Sequence, residues 1–207
     1  MPDLSEHDDR YCYPRSDVLI NHFNVRDAER LRQLERVLSG ARLVDLYRKP
    51  LKGRFDFAHL KAIHAHLFQD IYPFAGEVRT VDIAKGLFFC HYAYIEDEAK
   101  RIFRELKEEG YLADTPLHEL ALRCAYYLGE INALHPFRDG NGRAQREFMR
   151  ELLLVKRGLN LDFTKVPPEA MFEASVASFK GDDRPLIVLF RECLNLSYLE
   201  GTPVNQH

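Results

Sequence analysis

One interruption between two amphipathic runs limits what this chain can fold into. Leu117, Leu120, Ala121, Cys124, Tyr127, Leu128, Ile131 and Leu134 recur at steps of three and four. One face of a helix is therefore apolar up to Leu134. Pro136 disfavours helical angles at His135, so the helix stops there. A second run begins near Gly142 or Arg143 and offers Phe148, Met149, Leu152, Leu153 and Val155 as its buried face. His135 is thereby held on a stiff turn at a helix end. Phe137 is the large apolar side chain of the turn and is expected to anchor it in the core.

The turn is rich in chemistry. From His135 to Arg146 it carries one base, one carboxylate, two amides, two glycines and three arginines. Gly140 and Gly142 permit positive φ and a close approach of backbone to ligand. A glycine-bearing loop that enters a helix N-terminus presents free N–H groups and the positive end of the helix dipole to an anion. Arg143 and Arg146 are three apart and share a helix face, where both can reach one polyphosphate. Asp139 is the sole carboxylate of the loop. A lone carboxylate beside phosphates is the usual protein contribution to a Mg²⁺ site.

These residues resemble the signature of the Fic family, His-x-Phe-x-(Asp or Glu)-Gly-Asn-Gly-Arg-x-x-Arg. Every fixed position is matched, and the helix–loop–helix setting agrees. The resemblance covers roughly residues 54–196. It implies a mainly α fold, a Fic-type helical bundle with one β-hairpin, and an adenylyltransferase that moves AMP from ATP to a hydroxyl of a target protein. Carried over by position, His135 would be the catalytic base and Asp139 would bind Mg²⁺. Gly140, Asn141 and Gly142 would form the anion hole. Arg143 would hold the β-phosphate and Arg146 the γ-phosphate. An imidazole of ordinary basicity, pKa ~6.5, is largely neutral at pH 7 and able to accept a proton.

Composition narrows the classes of function. The chain has 207 residues, enough for one domain with a sizeable core, and 46% of them are hydrophobic, against global disorder. A net charge of −3 leaves no broad basic field for nucleic acid. Cys12, Cys90, Cys124 and Cys193 are widely spaced and form no CxxC pair, and read as buried or free thiols of a reducing cytosol; the resemblance implies a bacterial cytoplasm. The first ten residues are acidic and polar, without the features of a signal peptide. No apolar run approaches the ~20 residues of a membrane span.

The single domain divides into a lead and first helix (1–53), the core (54–196) and a tail (197–207). Periodicity predicts helices over 26–47, 56–71, 93–109 and 184–198, and one opened by Pro167-Pro168. In the first, Leu31, Leu34, Leu38 and Ala41 form the buried face, and Glu35 belongs to a solvated surface. His59, His64 and His66 lack companion ligands and read as packed or exposed rather than metal-binding. Residues 77–91 differ, with Val78, Val81 and Ile83 before Lys85-Gly86 and Leu87, Phe88 and Phe89 after it. Two β-rich runs around a glycine turn predict a hairpin. By the resemblance it would be the flap, with Val81, Asp82, Ile83, Ala84, Lys85 and Gly86 pairing with an extended target segment by strand addition.

Many Fic proteins carry an inhibitory (Ser or Thr)-x-x-x-Glu-(Gly or Asn) helix whose glutamate pairs with the second motif arginine, here Arg146. Only Glu109-Gly110 and Glu200-Gly201 offer the ending, and Glu105 and Leu196 stand where Ser or Thr is needed. Ser197 is one position too close to Glu200. The expectation is therefore a toxin restrained by a separate small antitoxin that supplies the glutamate. Similar bacterial toxins act on DNA gyrase and topoisomerase IV. Phosphate-transferring Doc-type relatives replace the second glycine by lysine, but Gly142 is glycine. Phosphocholine transfer from a CDP-linked donor is compatible with the motif. So is a non-catalytic nucleotide-binding module, although a pure binder has no need of His135.

Overall fold

The computed structural model describes residues 10–84 and 89–194. Among them are seven α-helices: α1 (Ala28–Arg48), α2 (Phe57–Phe68), α3 (Ile95–Glu108), α4 (Leu117–Leu134), α5 (Asn141–Arg157), α6 (Pro168–Phe179) and α7 (Arg184–Cys193). Local chemistry sets their ends. The Asp27 and Asp56 carboxylates accept from Arg30 N and His59 N at 2.7 and 2.9 Å and cap α1 and α2. Gly158 stops α5 in the left-handed region that favours glycine, at φ 66°.

The core is built around α4 and α5. Leu120, Cys124, Tyr127, Leu128, Ile131 and Leu134 of α4 are buried against α3, α5, α6 and α7. Phe148, Met149, Leu152 and Leu153 of α5 are buried as the periodicity predicts. Glu147, Arg150 and Glu151 of α5 are buried too, because each has a polar partner. Glu151 accepts from Leu51 N at 3.1 Å and meets His59 Nε2 at 2.9 Å. Arg150 bonds Glu147 at 2.8 Å and donates to the Leu46 carbonyl at 3.2 Å. This network ties α5 to α2 and to the end of α1.

Several expectations need correction. Ala41 is exposed, while Ser39 and Leu46 are buried, because α1 turns that face toward α2. Glu35 is no solvated residue. Its carboxylate accepts from Tyr72 Oη and pairs with Arg143. Val155 and Leu117 lie at helix positions beyond the packed face and are exposed. The predicted hairpin is not established. Its turn, Lys85 to Phe88, lies outside the described residues, and the flanks form no ladder among those described. One backbone bond, Phe89 N to Ile83 O at 3.4 Å, joins them. Arg79 is engaged with the loop after α4, Thr80 with Tyr11, and Asp82 with Tyr92 N.

Candidate active site

The loop between α4 and α5 is over-determined by bonds to three other parts of the chain. His135 follows the last residue of α4 and adopts left-handed angles, φ 45° and ψ 60°. That conformation is strained for a residue with a Cβ, by ~1–2 kcal/mol. It frees the His135 carbonyl, which accepts from Arg79 Nε at 2.8 Å. Arg79 N donates to the Pro136 carbonyl at 2.9 Å, and Cys90 N to the Ala133 carbonyl at 3.0 Å. Farther along, the Asn141 amide closes the loop on itself. Its Oδ1 accepts from Phe137 N at 2.9 Å and its Nδ2 donates to the Phe137 carbonyl at 2.7 Å.

Phe137 is 1% exposed, the expected anchor, and its ring stacks on His64 with centroids 3.8 Å apart. His64 Nδ1 accepts from Gly76 N at 2.8 Å. The ring proton therefore sits on Nε2, which donates to the Asp139 carbonyl at 2.9 Å. Burial pushes the His64 pKa down to about 4, only partly offset by the Asp139 carbonyl and charge. Neutral His64 thus holds the loop from below. Gly140 uses its freedom, at φ 75°, and a Cβ there would lie 2.4 Å from the Phe68 ring. Gly142 does not adopt positive φ; its lack of a side chain leaves room for Arg146 Nη1, 3.1 Å from where a Cβ would be.

The loop forms one end of a cavity of about 440 Å³. His135, Asp139, Gly140, Gly142, Arg143 and Arg146 line that end. Phe163, Val166, Met171, Phe172, Val176 and Phe179 make the opposite, apolar wall, from α6 and the turn before it. Asn132, Gln145 and Ser175 add uncharged polar groups. Phe172, 60% exposed, is thus a pocket wall rather than core.

His135 Nδ1 donates to the Asn132 carbonyl at 3.2 Å, which makes Nε2 the proton-accepting nitrogen. Its ring stacks on Phe89 with centroids 3.7 Å apart, and Phe89 in turn meets Phe179 edge-on. At the start of α5 the N–H groups of Asn141 and Gly142 have no acceptor among the described residues. The Asn141 side chain closes the loop, so what it offers an anion is backbone. Asp139 Oδ1 accepts from Gly140 N at 2.6 Å, and its second oxygen has no hydrogen bond among the described residues. One available carboxylate oxygen facing a cationic cavity suits a Mg²⁺ ion whose remaining ligands are water and phosphate.

The two arginines differ. Arg143 lies over the Phe68 ring at 4.6 Å, donates to Ser39 Oγ at 2.8 Å and pairs with Glu35. Arg146 has no carboxylate partner among the described residues. Burial lowers its pKa, and the Arg143 charge lowers it further. It stays protonated, as arginines do. Glu109, one candidate inhibitory glutamate, pairs with Arg123 instead. Glu200 lies outside the described residues.

Of the proposed docking residues, Val81 and Ile83 use their carbonyls on Arg79 Nη1 and Phe89 N. Asp82 accepts from Tyr92 N at 2.9 Å. Ala84 is described, whereas Lys85 and Gly86 are outside the described residues. Sequence reasoning missed Arg79, His64, Glu35 and the α6 wall. Arg79 carried one signal, a lone base beside Val78 and Val81 in a β-rich run.

The family model described as "Fic/DOC family" matches residues 54–153. A probable protein adenylyltransferase of Sinorhizobium fredii, y4lH, is 40% identical over 190 residues, covering 90% of this chain and 96% of the relative. The chain belongs to the Fic/DOC family. A second relative, the protein adenylyltransferase VbhT of Bartonella schoenbuchensis, is 38% identical over 90% of this chain, which spans 39% of VbhT. The BepC protein of Bartonella tribocorum, solved with bound AMPPNP, superposes with a TM-score of 0.84 at 26% identity, over 89% of this chain and 96% of that one. An N-terminal Fic domain from Bartonella quintana, solved with bound ADP, superposes with a TM-score of 0.84 at 27% identity, over 89% of this chain and 94% of that one. The family fold is therefore the fold described above. Among the described residues no helix is long and apolar enough to cross a membrane.

Proposed function

We propose that this chain transfers AMP from ATP to a hydroxyl side chain of a target protein, as the toxin of a toxin–antitoxin pair. That it is a nucleotidyltransferase follows from relatives of 38% and 40% identity that carry the name protein adenylyltransferase. The observation that carries the finer reading is His135, a base with a fixed tautomer, in one cavity with Arg146 and helix N–H groups that have no acceptor or carboxylate partner among the described residues. The target oxygen attacks the α-phosphorus, its proton passes to His135 Nε2, and the bond to the β-phosphate oxygen breaks to release pyrophosphate. The N–H groups of Asn141 and Gly142, with Arg143 and Arg146, meet the charge on the phosphates. Asp139 would hold Mg²⁺, which when bound neutralises phosphate charge. The apolar α6 wall suits the purine.

A carboxylate presented to Arg146 would displace a terminal phosphate, and this supports an antitoxin that acts by a glutamate. A subunit of DNA gyrase or topoisomerase IV is the target favoured by the resemblance. Incubation of the chain and a bacterial lysate with ATP labelled on the α- or γ-phosphate tests the reaction. Only α-label should enter protein, and mass spectrometry then identifies the acceptor. Transfer of γ-label, or none with any donor, would overturn the reading.

A further inference from the structure

Arg79 is 1% exposed, and its guanidinium faces three backbone carbonyls. Nε donates to His135 at 2.8 Å, Nη1 to Val81 at 2.6 Å, and Nη2 to Cys90. Its own N–H reaches Pro136 at 2.9 Å. Asp82, 3.7 Å from Nη1, supplies the nearest carboxylate and also binds Tyr92 N and His91. A buried arginine is costly unless its donors are matched. Here three come from separate segments: the end of α4 and the two stems that flank residues 82–89. A structural arginine could meet any carbonyls; this one meets the carbonyl of the strained residue that bears the base.

We propose that Arg79 is the positioning residue of His135. Its planar fork holds the His135 carbonyl in the left-handed geometry and the two stems at once. The imidazole and Phe89, one residue before Cys90, are thereby set face to face. Arginine is needed because lysine presents one point charge and cannot span three diverging carbonyls. The fixed outlet of α4 also places positive charge at the negative end of that helix, reinforcing the hold. The proposal rests on His135 being the base, but its test does not depend on transfer alone.

The test compares the parent with Arg79→Lys and, as a second variant, Arg79→Met. The histidines are labelled with ¹³C, and the His135 ring signal is assigned by its loss in His135→Ala. In Arg79→Lys the His135 signal should shift or broaden while His59 and His64 keep their positions. ATP affinity should stay within about threefold. Transfer of α-label should fall by roughly 100-fold, the usual consequence of a reacting group displaced by about an ångström. An unmoved His135 signal with transfer within twofold would overturn the proposal. So would a concerted shift of all histidine signals with a lost thermal transition in both variants, which marks a scaffold role. If the parent transfers nothing, the assigned function fails, and the ring signal still decides whether Arg79 sets His135.

Discussion

Acidification should loosen the active-site loop through His64, and the size of the effect follows from its surroundings. The folded ring binds a proton only near pH 4, against 6.5 in the unfolded chain. The unfolded state therefore takes up the proton first. Stability is intact above pH ~6.5, is lost progressively as pH falls from 6.5 to 4, and changes no further below that through this group. A gap of ~2.5 pKa units is worth ~3 kcal/mol in full, of which about 2 kcal/mol is gone at pH 4.5. For a chain of this length that is a fall of ~4–8 °C in Tm. His64→Gln keeps a donor and an acceptor for Asp139 and Gly76 but cannot be protonated in this range. It should be less stable than the parent at pH 7 and less sensitive to acid. Urea unfolding of both proteins at pH 7 and 4.5 cancels the contributions of all other titrating groups. The parent should lose about 2 kcal/mol more than His64→Gln. Equal losses in the two proteins would refute the buried neutral imidazole as the cause.

Other substitutions separate scaffold from chemistry. His135→Ala should lower label transfer by at least ~100-fold while ATP binding, measured by equilibrium dialysis, stays nearly unchanged. Gly140→Ala places a Cβ 2.4 Å from Phe68 at φ 75°, and should cost about 3 kcal/mol in urea unfolding. Gly142→Ala meets only the end of Arg146, so it should fold with a loss under ~1 kcal/mol but bind ATP up to ~10-fold more weakly. Glu151→Ala orphans Leu51 N and His59 Nε2 in the core, which should cost ~3 kcal/mol or more, seen as a lowered Tm.

The legible and the hidden parts of this protein divide by the range of their interactions. Helices were readable because their period is local, and the motif because its base, carboxylate and glycines lie within twelve residues. The hidden parts are polar groups that are buried or half-buried although their residue types favour the surface. Glu35, Ser39, His59, Arg79, Arg150 and Glu151 fall in this class, and each is matched across a long stretch of chain. Glu35 lies 108 residues from Arg143, and Arg79 lies 56 from His135. No pattern along a helix reports such a partner. The consequence reaches the site itself. Helical spacing places Arg143 and Arg146 on one face and makes them equals. The structure makes them unequal, since Arg143 is already bonded to Glu35 and Ser39 while Arg146 faces the cavity without a carboxylate among the described residues. A phosphate reaching Arg143 meets a guanidinium whose charge is largely balanced, and one reaching Arg146 meets an uncompensated charge in a poorly solvated place. Discrimination between a nucleotide with and without its terminal phosphate should therefore reside in Arg146, the position where a competing carboxylate would also have most to gain.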